Sequence, residues 1–292
     1  MDKKVKSRIA FISAFIVVMI WGETYVSSKV LLDHGMEPAE IFLCRFLLAY
    51  LCIVPFAPKR LWAQSARDEF RMMLLGLTGG TLYFLTENTA LKFSTASNVA
   101  IILCSVPFVT ALMMAAFYRD ERMTRRQVLG SLVAVAGMVM VVLNGEFVLR
   151  LNPLGDLLAF CSVVVWASYS VVMKRVSGRY SPLFISRKLF AYGIISIAPY
   201  FIINPLSDRT VFSEPVVWGN LLYLGIVASM LCFVLWNWSL ATVGTVKTTN
   251  LLYTQPFFTM LIACIVLGDR ITVMAVIGTV LLTVGTMYTE RR

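Results

Sequence analysis

The amino-acid sequence predicts an all-α integral membrane protein with ten transmembrane helices, arranged as two inverted repeats of five helices each. Three observations lead to this fold class: an apolar composition, ten apolar segments joined by short connections, and an internal repeat. Of the 292 residues, 59% are hydrophobic and only 14% are charged, whereas soluble globular proteins carry about 25% charged residues. Most of the protein surface therefore cannot face water.

The apolar segments are continuous rather than alternating, which favours transmembrane helices over a β-barrel, the other structure that satisfies every backbone polar group in lipid. About 20 apolar residues are needed to span the roughly 30 Å hydrocarbon core. The predicted helices cover residues 9–31, 38–57, 71–91, 95–117, 125–143, 153–173, 182–203, 216–240, 245–267 and 271–288. Pro38, Pro153 and Pro182 fall in first turns, where proline is tolerated. Pro107 and Pro256 fall inside the fourth and ninth helices, where each is expected to cause a kink.

Basic residues set the predicted orientation. The formal net charge of +10 would suit nucleic-acid binding, but Lys and Arg are grouped in short clusters between apolar segments, which is typical of cytoplasmic loops. Connections on the side of both termini hold seventeen Lys and Arg residues, and the opposite connections hold four, Lys92, Arg150, Arg209 and Arg270. This excess predicts that both termini are cytoplasmic. We expect the lipid bilayer, and no nucleic acid, as a partner.

An internal repeat is the strongest feature of the sequence. Shifting the chain by 149 residues brings identical residues into register, among them Gly76 with Gly225, Phe84 with Phe233, Asn88 with Asn237 and Pro107 with Pro256. A shift of 148 pairs Gly130 with Gly278 and Gly137 with Gly285, and a shift of 145 pairs Trp21 with Trp166. Chance similarity between apolar segments gives scattered leucine matches, but it does not readily pair Pro, Asn, Gly and Trp.

The repeat bears on function through the number of helices that it contains. Each repeat holds five helices, an odd number, so the second repeat (residues 151–292) must be inverted relative to the first (residues 1–150). Inverted repeats are typical of transporters, because exchanging the conformations of the two halves converts an outward-facing state into an inward-facing one. The repeat therefore favours transport more strongly than hydropathy does, since a membrane enzyme or receptor is equally apolar.

Several motifs in both halves resemble those of a known family. They include IWGETYVSSK in the first helix, CRFLLAYLCIVP in the second, and NTALKFSTASNVAII across the third and fourth. A stretch beginning PFVTALMMAAFYRDE recurs in the second half as PFFTMLIACIVLGDR. Over nearly the whole chain the sequence resembles the drug/metabolite transporter superfamily, specifically the EamA-type ten-helix transporters. The resemblance implies a central cavity between the two halves, and export of amino acids, metabolites or drugs across the inner membrane.

Three ionisable residues inside predicted helices are candidate functional groups, because a charge within the membrane is costly. A rise of 1.5 Å per residue places Glu23 roughly 21 Å and Glu87 roughly 24 Å above the cytoplasmic starts of their helices, and Arg45 roughly 10 Å below an outer start. We expect Arg45 to bridge or alternate between the two carboxylates, in a site for a substrate ammonium group or a proton. A static ion pair that fixes the first three helices is the alternative. Both glutamates depart from the family pattern, which indicates a subgroup with its own substrate or coupling.

Aromatic and amide side chains complete the predicted site. Trp21, Trp166 and Tyr169 are candidates for lining the cavity, with an interfacial aromatic belt as the alternative. The candidate hydrogen-bonding partners of the substrate are Asn88, Asn98, Asn237, Asn250 and Gln255. Hydrogen bonding between helices is the alternative for these amides. Arg187 and Lys188, near a helix start, are interpreted as membrane anchors or as groups that attract an anionic part of the substrate.

The remaining composition argues against metal and cofactor sites. None of the six cysteines belongs to a CxxC pair, and the single histidine, His34, lies in a predicted loop, so we expect no metal, no cofactor and no catalytic residues. The predicted function is a secondary transporter, an exporter of amino acids or similar small metabolites, acting as a monomer or homodimer with protons as candidate coupling ions. Multidrug efflux or transport of a nucleotide-sugar-like solute is the alternative within the fold. A membrane-embedded enzyme or receptor is the alternative from another class.

Overall fold

The computed structural model describes residues 3–93, 99, 102–103, 105–121, 124–143, 152–204, 206, 209–255, 257–258 and 272–290. Every named element in these residues is helical. The α-helices of the first half are α1 (Lys3–Asp33), α2 (Pro38–Ile53), α3 (Ala66–Gly76), α4 (Leu82–Phe93), α5 (Val106–Phe117) and α6 (Arg125–Leu143). Those of the second half are α7 (Pro153–Val176), α8 (Pro182–Ile203), α9 (Pro215–Leu222), α10 (Cys232–Val243), α11 (Thr245–Asn250) and α12 (Val273–Glu290).

Four helical stretches are long and apolar enough to cross a membrane. They are Lys4–Asp33, Pro38–Phe56, Pro153–Val176 and Pro215–Val243. Each has at least 18 residues, close to the roughly 20 that a bilayer requires. These stretches confirm an all-helical, multi-pass membrane protein.

Local sequence explains where several of these helices begin. The side chain of Asn152 accepts a hydrogen bond from the Gly155 N–H at 3.0 Å ahead of α7, and that of Ser181 accepts one from Phe184 at 3.3 Å ahead of α8. Such caps satisfy backbone N–H groups that have no partner within the helix. The prolines at the starts of α2, α7 and α8 lie in first turns, as the sequence predicted.

Two of the predicted helices contain a wider π-helical turn. Leu77–Thr81 joins α3 to α4, and Tyr223–Leu231 joins α9 to α10. Both turns lie next to or include the paired glycines of the repeat. A Cβ atom at Gly76 would lie 2.5 Å from the Tyr192 Cβ, and one at Gly225 would lie 2.6 Å from the Leu48 Cβ. The glycines therefore permit a close approach of neighbouring helices at both turns.

Two prolines differ from the prediction. Pro107 lies in the first turn of a helix rather than in its interior, because α5 begins at Val106 after Ser105. Since proline lacks an N–H donor, the first turn of a helix accommodates it without losing a hydrogen bond. Pro199 lies inside α8, a position that the sequence analysis did not single out. Pro256 lies outside the described residues, as does most of the predicted helix 245–267 after the 3₁₀ turn at Leu251–Thr254.

Helices α6 and α12 make the closest backbone contact between the halves that we describe. A Cβ at Gly130 would lie 2.7 Å from the Gly285 carbonyl oxygen, and a Cβ at Gly137 would lie 2.5 Å from the Gly278 carbonyl oxygen. Along this contact the residue number rises in one helix as it falls in the other, so α6 and α12 run antiparallel. Small residues commonly allow membrane helices to approach in this way.

The central helices pack in pairs drawn from both halves. Helix α4 packs against α7, and α1 packs against α10. Helix α2 packs against the π turn 223–231, and α8 packs against α3 and the π turn 77–81. One buried apolar core runs through these contacts and includes Phe46, Trp166 and Phe233.

The glycine contact gives a test of the packing. We expect Gly137→Ala to destabilise the protein by about 1–3 kcal/mol, the usual cost of overpacking a tight contact, because the new methyl group would meet backbone atoms of Leu282 and Gly278 at 2.4 and 2.5 Å. Gly219→Ala is the matched control, since a Cβ there meets nothing within 4 Å. The measurement is the thermal unfolding midpoint in detergent. Equal midpoints for the two variants would contradict the packing.

Candidate functional site

The predicted charged residues lie in one polar region of the core. Arg45 on α2 and Glu87 on α4 are 3% and 6% exposed. The Tyr83 hydroxyl donates to Glu87 Oε1 at 2.7 Å, and the side chain of Tyr25 is a second hydrogen-bonding partner of this carboxyl group. The Glu87 carboxyl group is therefore held by two phenol side chains, one from α4 and one from α1.

Arg45 is bound differently from the prediction. Its Nε donates to Ser229 Oγ at 2.9 Å, and its guanidinium lies 4.2 Å from the centre of the Phe84 ring. In the part of the chain that the structure describes, Arg45 makes no direct ion pair with either glutamate, so the predicted bridge is wrong for this conformation. The phenols of Tyr83 and Tyr25 already occupy Glu87, which still interacts electrostatically with Arg45.

Glu23 on α1 reaches the same region through a tyrosine. It is half-buried, and it is one of two acceptors beside the Tyr223 hydroxyl, the other being the Ile20 carbonyl at 3.0 Å. Tyr223 in turn interacts electrostatically with Arg45. The structure thus brings the three predicted charges together, with tyrosines between them rather than a direct Arg–Glu pair.

A group of buried aromatic rings lies beside these charges. The Trp21 ring centre lies 5.5 Å from that of Trp166 and 5.0 Å from that of Trp236. Trp166 lies 4.8 Å from the Tyr83 ring, which links the indoles to Glu87. Because Trp21, Trp166 and Trp236 are all buried, they belong to the interior and not to an interfacial belt.

Most of the predicted amides join helices to one another. Asn237 accepts from the Tyr169 hydroxyl and donates its Nδ2 to Ser186 Oγ at 3.0 Å. Gln255 Nε2 donates to the Trp21 carbonyl at 3.2 Å, and Asn250 Nδ2 to Thr289 Oγ1 at 3.4 Å. These contacts agree with the alternative interpretation, hydrogen bonding between helices.

Asn88 and Asn98 stand apart from those amides. Asn88 is 2% exposed, and its Nδ2 has no acceptor within the described structure. Asn98 lies outside the described residues. Of the predicted amides, Asn88 alone is described with a buried, unpaired donor.

Some of the residues that hold the charges are not evident from the sequence. Ser229 and Tyr223 were not singled out, although both belong to the π turn that joins α9 to α10. Trp236 carried a weak signal, because the 149-residue shift that pairs Asn88 with Asn237 also places Trp236 opposite Glu87. The alignment of Trp236 with a charged residue of the other half was therefore a reason to include Trp236 in the site.

A second polar cluster, here called the loop network, joins residues 58–71 to residues 179–192. Arg187 donates to the backbone carbonyl of Pro58 at 2.5 Å and to that of Arg60. Lys188 forms an ion pair with Glu69 and lies 4.7 Å from the centre of the Trp62 ring. Both basic residues are buried, so neither is the membrane anchor that was one of the two predicted roles.

Asp68 is the other acid of the loop network. It accepts hydrogen bonds from Arg71 at 2.7 Å, Tyr180 at 3.0 Å and Arg179 at 3.2 Å. Burial opposes ionisation of Asp68, but the hydrogen bonds from Tyr180 and Arg71 outweigh it and hold the pKa of this carboxyl group below its usual range. Burial and the Lys188 hydrogen bond compete in the same way at Glu69, whose pKa is also lowered.

The opposite end of the helices is held more weakly. The described contacts between charged side chains of different elements there are an ion pair of Lys92 with Glu37 at 3.0 Å and a contact of His34, charged only when protonated, with Glu214 at 3.4 Å. These side chains are about one-third to one-half exposed, and exposed ion pairs contribute only about 0–1 kcal/mol. Across the residues that the structure describes, no group of three or more His, Cys, Asp or Glu is placed to hold a metal ion.

Comparison with known proteins identifies the family. The model of the EamA-like transporter family matches residues 8–143 and again residues 153–290. The chain belongs to the EamA-like transporter family. This membership confirms the resemblance to the drug/metabolite transporter superfamily, and it makes the protein a membrane transporter at the level of the family.

Curated relatives of this EamA-like protein carry transporter names. An uncharacterised transporter of Archaeoglobus fulgidus is 26% identical, over 95% of this chain and 96% of that protein. A probable terminal-alkyne amino-acid exporter of Streptantibioticus cattleyicolor is 26% identical, over 95% and 92% of the two chains. A probable amino-acid metabolite efflux pump of Escherichia coli is 25% identical, over 93% and 91%.

A solved structure has the same fold as this EamA-like protein. A protein crystal structure superposes with a TM-score of 0.80 at 18% sequence identity, covering 97% of each chain. At this identity the likeness concerns the fold alone.

The loop network gives a second test of the structure. We expect Lys188→Met to destabilise the protein by about 1–3 kcal/mol, because it leaves the partly buried Glu69 carboxylate without its cation. Lys92→Met is the control, since it removes an exposed ion pair worth about 0–1 kcal/mol. The double variant Glu69→Gln/Lys188→Met should recover part of the loss. A cost for Lys188→Met no larger than for Lys92→Met, by thermal unfolding in detergent, would contradict the buried pair.

The lowered pKa of Asp68 predicts how stability depends on pH. A carboxyl group with a lowered folded-state pKa stabilises the protein above its unfolded-state pKa, about 3.9 for Asp, and this stabilisation is lost as pH falls through the folded-state pKa. Thermal midpoints should therefore fall on acidification below about pH 5, and less steeply in Asp68→Asn. An Asp68→Asn variant with the wild-type slope would show that Asp68 does not contribute.

Proposed function

We propose that the protein is a secondary transporter that exports amino acids or similar small metabolites across the cytoplasmic membrane. In this proposal the chain forms ten transmembrane helices in two inverted repeats, residues 1–150 and 151–292, around a central cavity. The observation that carries the proposal is the antiparallel contact between α6 and α12, because these helices occupy equivalent positions in the two repeats.

The glycines of that contact relate the two halves to each other. Gly130 is equivalent to Gly278, and Gly137 to Gly285, while the contacts join Gly130 to Gly285 and Gly137 to Gly278. Exchanging each residue for its equivalent turns one contact into the other, as a two-fold axis requires. Equivalent helices would run parallel if both halves were inserted in the same direction, so the antiparallel contact supports inversion.

Other packing pairs agree with the same two-fold relation. Helix α1 packs against α10, and their equivalents α7 and α4 also pack together. The equivalent side chains Trp21 and Trp166 contact each other at 5.5 Å, which is expected of residues beside the axis. The twelve described α-helices correspond to ten spans in this proposal. Helices α3 and α4 form one span through their π turn, α9 and α10 form another, and α11 is the beginning of the ninth span.

The charged region supplies the chemistry for an amino-acid solute. Glu87 offers a carboxyl group for a solute ammonium group or a proton, and Tyr83 and Tyr25 orient it. Glu23 and Arg45 lie within the same region and complete a set of two acids and one base. Two relatives that are named for amino-acid export support this solute class and the outward direction.

The loop network supports a state that is closed at one end. It joins residues 58–71 of the first repeat to residues 179–192 of the second through hydrogen bonds and ion pairs, of which the Lys188–Glu69 pair is less exposed than the Lys92–Glu37 pair at the opposite end. The distribution of basic residues supports a position of the network on the cytoplasmic side, together with both termini. In this proposal, solute enters from the cytoplasm only after the network opens.

Transport by a Glu87→Gln variant tests the proposal. We expect wild-type protein in proteoliposomes to move radiolabelled amino acids in response to an imposed pH gradient. Glu87→Gln should lose the pH dependence and at least about tenfold in rate, since proton transfer by a positioned group contributes about 10²–10⁴-fold in enzymes that depend on it. Glu214→Gln, which alters a half-exposed carboxylate at the start of α9, is the control.

Two outcomes would contradict the proposal in different ways. Full activity with unchanged pH dependence in both Glu23→Gln and Glu87→Gln would exclude coupling through these acids. An absence of flux for every amino acid, in wild-type protein that is folded and correctly inserted, would exclude the solute class.

A further inference from the structure

Among the residues that the structure describes, three buried nitrogen donors have no acceptor. They are Trp166 Nε1, Trp236 Nε1 and Asn88 Nδ2, on side chains that are 4%, 0% and 2% exposed. A buried donor without an acceptor costs about 1–3 kcal/mol, and an indole N–H can only donate. The described core therefore has a local excess of donors, and the missing partner is a hydrogen-bond acceptor.

For two of these donors, the equivalent residue in the other repeat does have an acceptor. Trp21, the equivalent of Trp166, donates its Nε1 to the Ala228 carbonyl at 2.9 Å. Asn237, the equivalent of Asn88, donates its Nδ2 to Ser186 Oγ at 3.0 Å. In each pair one residue is satisfied by the protein, and its counterpart is not. The two residues with acceptors lie on α1 (Trp21) and α10 (Asn237). The two without acceptors lie on α7 (Trp166) and α4 (Asn88).

The unsatisfied side adjoins the charged region. Helices α4 and α7 pack against each other, and Trp166 on α7 contacts Tyr83 on α4 at 4.8 Å. Tyr83 donates to Glu87 at 2.7 Å. Trp236 joins the same group of rings through Trp21, at 5.0 Å. Glu87 and two of the unpaired donors, Asn88 Nδ2 and Trp166 Nε1, therefore belong to one packed pair of helices, α4 and α7.

We infer that the α4–α7 side of the core binds both charged ends of an amino-acid solute, with Trp166 Nε1 and Asn88 Nδ2 donating to its carboxylate while Glu87 receives its ammonium group. A carboxylate is an acceptor-only group with about four lone-pair sites, so it can satisfy several donors at once. Trp236, on α10, is not needed for this contact. This inference rests on the proposed function and deepens it, because it assigns recognition of the carboxylate to particular residues.

Matched ligands test the inference directly. Leucine is compared with 3-methylbutylamine, which lacks the carboxylate, and with 4-methylpentanoic acid, which lacks the amine; phenylalanine, 2-phenylethylamine and 3-phenylpropanoic acid form a second set. Dissociation constants are measured on the purified full-length protein by tryptophan fluorescence. We expect at least one amino acid to bind about tenfold or more tightly than its amine, the effect of one hydrogen bond to a charged group.

Two variants assign that preference to residues. Trp166→Phe and Asn88→Leu keep the approximate shape of the side chain and remove the donor, so each should lower the ratio of amino-acid to amine affinity by about tenfold. The affinity for the amine itself should be unchanged. Trp218→Phe is the control, because Trp218 is partly exposed and donates its Nε1 to the Phe212 carbonyl.

The outcomes separate this inference from the proposed function. Equal affinity for amino acid and amine in the wild type would overturn the inference without any variant, and would indicate that water satisfies the donors. An unchanged ratio in both variants would overturn the assignment to Trp166 and Asn88. Binding of none of the six compounds would also overturn it, whereas the proposed function is judged separately by the pH-driven flux of wild-type and Glu87→Gln protein.

Discussion

A chain embedded in lipid must satisfy its polar groups internally, and the structure of this transporter depends on that constraint. Without water, an unpaired polar group costs several kcal/mol. Arg45 is accordingly bound by Ser229 and the face of Phe84, and Glu87 by Tyr83 and Tyr25. The same constraint explains why Asn237, Asn250 and Gln255 connect helices. Their hydrogen bonds fix the relative positions of segments that have little hydrophobic reason to associate within a bilayer.

The two halves meet this constraint unequally, and the inequality coincides with the candidate site. Trp21 and Asn237 find acceptors within the protein, while the equivalent donors of Trp166 and Asn88 do not. Within the described residues, the loop network lies at one end of the helices, and no equivalent network is described at the other end. The two halves thus differ in these polar side chains, and the inferred site for an amino-acid solute makes use of that difference.

The helical membrane fold could be predicted because the composition and the hydrophobic pattern are compatible with few other structures. Composition and continuous apolar runs identified membrane helices, and paired Gly, Asn, Trp and Pro residues revealed the repeat. The contact between Gly130 and Gly285 could not be read from the sequence, since it depends on how two distant helices cross. The π turns were also missed, because the hydrophobic pattern of a helix changes little when one turn widens.

The proximity of the charged residues was easier to predict from the sequence than their contacts. The depth of Glu23, Arg45 and Glu87 along their helices indicated that they would meet. Their partners Ser229 and Tyr223 come from a π turn of the other half, and their placement depends on tertiary packing. The roles of Arg187 and Lys188 were missed for the same reason, since each is bound by the loop and helix start between residues 58 and 69.

The inversion of the two halves is the claim on which this account depends, and the direction of α6 and α12 tests it. Single cysteines at Gln127, Val273 and Tyr288 would be introduced into a cysteine-free chain and labelled with an impermeant maleimide in right-side-out and inside-out vesicles. The account predicts labelling of Gln127 and Tyr288 from the cytoplasmic side, and of Val273 from the opposite side. Labelling of Gln127 and Val273 from the same side would contradict it.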